Sequence, residues 1–287
     1  MKQKERKTQK NCSMEKYDDF KICDGIWVIP DFTQSVLGVD PSGVFSSLRE
    51  SIPVRYDGDE IVPGAEQWVD GTHSSLKYRG HALKRAKIWY QKRAPGDPYR
   101  VYSYTGWQHS ILPATSPVEK STLMKPVASR YDEWAVSIGA MPANHYIVSA
   151  YNDGCDSIGY HSDKMRSLEP QSMITVVKIG DCARPFQIRP LPTSDEKSPA
   201  PFFSRPLEPG TAVVMTLAAN ATSQHGVPTV DGLRAASGSI VFRTARQTVT
   251  EHSAGRNINR SIMAKAKRDA ARDAKRAKRS AAAREDQ

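Results

Sequence analysis

The chain is poor in cysteine, with four in 287 residues (Cys12, Cys23, Cys155, Cys182) and no CxxC pair. That excludes a disulfide scaffold and the paired-thiolate zinc sites of ribbons, and it predicts reduced thiols in an intracellular compartment. No apolar run approaches bilayer length, so no membrane partner is expected. The polar, basic N-terminus lacks the apolar stretch of a secretory signal. Acidic charge is scarce only at the two ends. Residues 1–16 carry six Lys/Arg against two Glu, and residues 255–287 carry eleven against four Asp/Glu. Those +4 and +7 leave residues 17–254 at −1 of the total +10. Basic tails draw polyanions without sequence preference and say nothing about chemistry.

Three regions follow. Residues 1–19 are too polar to bury a face and are expected to be a disordered basic tail. Residues 20–250 form the folded domain. Residues 251–287 are a basic, Ala-rich segment, helical or disordered, with no apolar stripe for packing. A nuclear-import signal, a polyanion-binding arm and a solubilising tail all fit it; a nucleus-directed protein is the localisation it suggests, and a viral source is equally compatible. A monomer is expected.

Within the domain, Ile26–Phe32 (IWVIPDF) predicts a strand broken by a proline. Val44, Phe45, Leu48 and Ile52 recur at helical spacing after an Asp40-Pro41 start. Asp57–Gly71 is acidic and turn-rich, and Leu123–Ile138 predicts a helix interrupted early by Pro126. HYIVSAY (His145–Tyr151), MITVVKIG (Met173–Gly180), RPFQIRPL (Arg184–Leu191), TAVVMTL (Thr211–Leu217) and GSIVFRTAR (Gly238–Arg246) are short β-branched segments punctuated by Gly, Pro and Asp. A long proline-rich loop is expected over 190–210. No helical periodicity intervenes, which predicts a mainly β fold of antiparallel sheets, a jelly-roll barrel or sandwich with a few supporting helices.

Lys77–Arg100 is different in kind, with eight Lys/Arg, among them Arg85 and Lys87, and one acid, interleaved with Tyr78, Trp89, Tyr90 and Tyr99. Cations meet phosphates and rings stack on bases, so a nucleic-acid face is one reading. A solvated hairpin whose aromatics enter the core is the other. The alternation of Tyr102 and Tyr104 marks a strand leading into a loop.

The candidate chemistry sits in YNDGCDSIGYHSD, Tyr151–Asp163. Residues two apart on a strand share a face, so His161 and Asp163 can converge on one point. His225, which is expected to follow the strand TAVVMTL after a short loop, is the candidate third ligand. Two imidazoles and a carboxylate on one side of an ion leave its other positions open, the pattern of non-haem Fe(II) oxygenases. The final strand is expected to carry Arg243 inward, flanked by its neighbours Ile240 and Phe242; a buried cation is costly without an anion, which predicts an acidic cosubstrate.

Together, YNDGCDSIGYHSD, His225 and SIVFR resemble the AlkB-like family of Fe(II)/2-oxoglutarate dioxygenases, nearest its eukaryotic branch that repairs alkylated duplex DNA. The likeness runs from about Lys84 to Arg246. It implies a double-stranded β-helix, with Fe(II) held by His161, Asp163 and His225. It also implies 2-oxoglutarate held with help from Tyr151 and Arg243, and N-alkyl groups oxidised on bases of DNA or RNA with release of formaldehyde. Tyr104 falls where the family stacks an aromatic on the flipped base, and Lys84–Arg100, with Arg85, Lys87 and Tyr102 nearby, matches its nucleotide-recognition lid. Ser149 stands where the family has Asn, and Ser237 where it has a second arginine; both fall in the cosubstrate's grip, with Arg234 nearby in the loop. Lys164 and Met165 replace acidic residues common in that branch. Two other functions remain open: the same chemistry on a protein or small molecule, and a nucleic-acid-binding jelly roll without cosubstrate. Cys155 is expected as a small packed thiol, His109 and His145 as ordinary polar or core histidines, Trp107 and Trp134 as core, and Arg184 and Arg189 against substrate or solvent.

Overall fold

Segments that bury both faces read as nearly unbroken apolar runs, and the computed structural model arranges them into two antiparallel sheets. It describes residues 14–51, 77–78, 81–82, 86–92, 99–103, 111–113, 116–246 and 248–249. Eight strands make the frame: β1 (His145–Tyr151), β2 (Ile158–His161), β3 (Met173–Gly180), β4 (Arg184–Pro190), β5 (Phe203–Leu207), β6 (Ala212–Thr216), β7 (Ser223–Val227) and β8 (Ser237–Arg243). One sheet runs β6-β3-β8-β1, extended at its edges by Ile26–Ile29 beside β6 and Ala86–Gln91 beside β1; the other runs β2-β7-β4-β5. This interleaving of the two halves is the jelly roll expected.

Alternation along each strand separates two cores. Val148, Ala150, Val177, Ile179, Ile240 and Phe242 face outward onto helices α1 (Pro41–Ser51) and α2 (Met124–Ser137). Tyr151, Ile174, Val213 and Met215 face inward to meet Phe186 and Ile188 of the second sheet. The inner face is therefore the one on which a site can be built.

Several expectations need correcting. Pro126 does not interrupt α2; it lies in the first turn, where its missing N–H has no helical partner to lose. Ser121 Oγ accepts from Met124 N just ahead of it (3.0 Å). Residues 14–19, expected within the disordered tail, are structured: Met14 is buried and Trp134 Nε1 donates to the Tyr17 hydroxyl (2.8 Å), while residues 1–13 lie outside the described residues. Residues 190–210 are not loop throughout, since β5 pairs there with β4. The short connection expected between TAVVMTL and His225 is a helix, α3 (Leu217–Thr222), capped by Thr216 Oγ1 on Ala219 N (3.2 Å), and His225 lies beyond it in β7. Asp57–Gly71, His109, Trp107 and residues 250–287 lie outside the described residues.

Candidate metal centre

His161 ends β2 and pairs in register with His225 on β7, so two antiparallel neighbours bring the imidazoles together, with ring centroids 4.4 Å apart. Asp163 follows two residues later. One ligand atom from each of the three lies within 4.8 Å of the others. His161 Nδ1 lies 2.9 Å from the Gly159 carbonyl; an N–H donated there leaves Nε2 its lone pair for an ion. Phe186 stacks near-parallel on His225, 5.8 Å between centroids.

Asp163 is the most tightly specified of the three. Its backbone N–H donates to Asn220 Oδ1 (2.8 Å), and Asn220 Nδ2 donates back to its carbonyl (2.9 Å). Its Oδ1 accepts from Arg243 Nη2 (2.6 Å), with both side chains buried. Burial alone would raise this carboxyl's pKa, but Arg243, His225 and His161 together outweigh it and hold the group below the usual carboxylate range. Burial depresses His225, favouring the neutral, metal-binding imidazole. His145, opposite Arg243 in register, is pushed down to about 3 by burial and by that guanidinium, and so stays neutral.

Arg243 therefore does point inward, but the anion that offsets its burial is Asp163. Its presence alone does not call for an acidic cosubstrate. Tyr151 is buried at the far end of β1, beneath the guanidinium of Arg184 at 4.9 Å. Ser149, Ser237 and Ser239 share the inner face with it.

The acidic motif between Tyr151 and His161 is architectural. Asp156 accepts from Asn152 N (2.7 Å), and Asp153 accepts from Cys155 N (2.8 Å). A Cβ on Gly154 would collide with the Val230 carbonyl, whose loop must approach that closely to exchange backbone bonds with Gly154. Arg184, expected against substrate or solvent, is turned away from solvent. It is 1% exposed and donates to the carbonyls of Asp153 (2.6 Å), Asp156 and Pro228, clamping both loops. Arg189 lies over the Tyr160 ring (3.9 Å) and bonds Gln224. Cys155 is exposed rather than packed, because its turn points it outward. Trp134 is core, and His145 is a buried histidine as expected.

Of the substrate-side candidates, Lys87 lies on Ala86–Gln91, with its backbone opposite Ser149, and Tyr102 lies on the strand Tyr99–Ser103. Arg85 and Tyr104 lie outside the described residues. Asn220 was not anticipated from the sequence.

Two imidazoles and one carboxylate suit a divalent first-row ion and leave coordination positions open. His225 Nδ1 is buried without a hydrogen-bond partner, the state of a donor set shaped for a cation. A jelly roll with this triad on its inner face defines an Fe(II)- and 2-oxoglutarate-dependent dioxygenase. Residues 66–256 match the model of the 2OG-Fe(II) oxygenase superfamily, and the chain belongs to that family.

Its likeness within the family is to AlkB-type proteins. Human "DNA oxidative demethylase ALKBH2" is 28% identical over 197 residues, 66% of this chain and 69% of its own length. The mouse protein of that name is 29% identical over 133 residues, 45% of this chain and 49% of its own. Mouse "Alpha-ketoglutarate-dependent dioxygenase alkB homolog 3" is 32% identical over 104 residues, 35% and 36% of the two chains. The matched region is thus less than half the length of either mouse protein.

Proposed function

We propose that this dioxygenase removes N-alkyl groups from bases in DNA or RNA. The observation that carries it is the His161–Asp163–His225 triad in a chain whose relatives include proteins named as DNA oxidative demethylases. Fe(II) held by His161, Asp163 and His225 would, with 2-oxoglutarate and dioxygen, supply the two-electron oxidation that hydroxylates an N-alkyl carbon, with succinate and CO2 as co-products. The hydroxymethyl product then breaks its C–N bond, returning the proton to nitrogen and releasing formaldehyde.

The protein's part is positioning and the exclusion of water. Gly159 fixes the His161 tautomer, Asn220 pins the Asp163 backbone, and Arg243 keeps that carboxylate ionised and turned toward the imidazoles. Phe186 covers one face of His225 with apolar surface. A base must leave its stack to reach such a site. The strands bearing Lys87 and Tyr102 belong to the segment in which the sequence places basic and aromatic residues, with Arg85 and Tyr104 adjoining, and this supports an entry lid that meets phosphate and base together. The C-terminal tail, +7 over residues 255–287, supports added non-specific attraction to a polyanion and a nuclear location.

A methylated oligonucleotide incubated with the protein, Fe(II) and 2-oxoglutarate is expected to lose one methyl mass and release formaldehyde, while His161→Ala does neither. Wild type as inert as His161→Ala would refute the proposal.

A further inference from the structure

The inner face of the β3-β8-β1 sheet is polar at both ends and apolar between. At one end Arg243 meets Asp163 and the histidines. Next comes an apolar row, Val176 opposite Val241 opposite Ile147. The following row is Lys178, Ser239 and Ser149 in register, and beyond it Gly180, Ser237 and Tyr151. Arg243 and Ser239 are four residues apart on β8, roughly 13 Å along the strand.

Lys178 is the odd member. Alternation turns it inward with Ile174 and Val176, and it is 7% exposed. Its backbone bonds Thr211 and Gly210, but its ammonium has neither a hydrogen bond nor an ion pair among the described residues, and the titratable groups nearest it are the Cys182 thiol and the Arg184 guanidinium. Beside it the Ser237 hydroxyl is wholly buried without a hydrogen-bond partner. Among the described residues, Arg243 on this face pairs with Asp163, and Arg184, from the facing sheet, donates to backbone carbonyls. A largely buried lysine in register with two serines and with no anion beside it is unfavourable unless an anionic ligand completes it. Burial and Arg184 push it down to about 7, as befits a cation still lacking its counter-charge.

We propose that Lys178, from β3, is the cation that binds the distal carboxylate of 2-oxoglutarate, with Ser149, Ser237 and Ser239 as hydroxyl partners. A metal-binding triad at one end and an unpaired cation at the other, with an apolar row between them, suit a ligand that chelates the metal at one end and carries a carboxylate at the other. The family's arginine at this end would come from β8, where this chain has Ser237; here the positive charge has moved to a different strand. This assignment rests on the reading of the chain as a 2-oxoglutarate enzyme.

The test is equilibrium binding to Mn(II)-loaded protein of 2-oxoglutarate and of 2-oxopentanoate, which has a methyl in place of the distal carboxylate. Wild type is expected to favour the dicarboxylate strongly. Lys178→Met is expected to weaken 2-oxoglutarate by about 30-fold or more, the scale for breaking a buried charge-assisted pair, while changing 2-oxopentanoate less than about 3-fold on the same reasoning. Because the ligand-free lysine is buried without a counter-charge, Lys178→Met should also melt no lower than wild type in the absence of ligand. Equal weakening of both acids, unchanged 2-oxoglutarate binding, or a lowered ligand-free melting temperature would each overturn the assignment. Wild type that binds neither acid would instead refute the reading it rests on.

Discussion

Asn220→Ala probes the part of the metal centre that the ligand residues do not supply. The amide is 1% exposed and makes two bonds to one residue, accepting from Asp163 N at 2.8 Å and donating to Asp163 O at 2.9 Å. Alanine leaves a buried N–H and a buried carbonyl unpaired, at about 1–3 kcal/mol each. The expected loss is therefore about 2–6 kcal/mol in the metal-free protein, measured by urea unfolding. The same bonds fix the backbone from which the carboxylate projects. Loss of such an outer support costs roughly 10- to 100-fold in metal affinity, read by Mn(II) titration. Asn220→Asp, which can still accept from Asp163 N but cannot donate to its carbonyl, should fall between the two. A variant that loses less than about 1 kcal/mol and binds Mn(II) like wild type would show that Asp163 is positioned without Asn220.

Other expectations follow from the same contacts. Arg243→Met strands the buried Asp163 carboxylate and should cost the metal-free protein about 3–5 kcal/mol, whereas Asp163→Asn/Arg243→Met should recover a large part of it; additive losses in thermal unfolding would contradict the pairing. Arg184→Met removes donors from the carbonyls of Asp153, Asp156 and Pro228, so faster hydrogen exchange confined first to residues 152–157 and 228–233 is expected. Unchanged exchange would deny the clamp. His145 has a folded pKa of about 3 against an ordinary 6.5, so between these values the unfolded chain holds the extra proton. Stability of chelator-treated protein should therefore fall as pH drops through that window, by on the order of 4 kcal/mol, and His145→Gln should flatten the slope. An identical slope in the variant would assign the acid sensitivity elsewhere.

The ligands were readable because their signature is local or typed. His161 and Asp163 stand two apart at a strand end, and His225 is the downstream imidazole that completes the set. The frame was readable from β-branched runs whose two faces are both buried. What stayed hidden are residues whose partners are backbone atoms far away in sequence. Asn220 bonds the main chain of Asp163, 57 residues distant, and Arg184 bonds carbonyls, which carry no mark of identity. Arg243 was legible as an inward cation, but the identity of its anion was not, since that depends on which strand lies opposite. Lys178 did leave a signal: a lone charge inside MITVVKIG, at an inward position of a doubly buried strand. Pro126 misled because helix interruption depends on whether a proline falls in the first turn, and that boundary rests on the Ser121 cap.

Succinate production measured in three parallel reactions, with methylated DNA, with methylated RNA and with no nucleic acid, tests the central claim most directly. An Fe(II)/2-oxoglutarate demethylase should form succinate and formaldehyde in equal amounts with at least one methylated polymer, well above the polymer-free rate, and Asp163→Ala should abolish both. Succinate that forms at the same rate in all three, or not at all while oligonucleotide binding persists in Asp163→Ala, would contradict it.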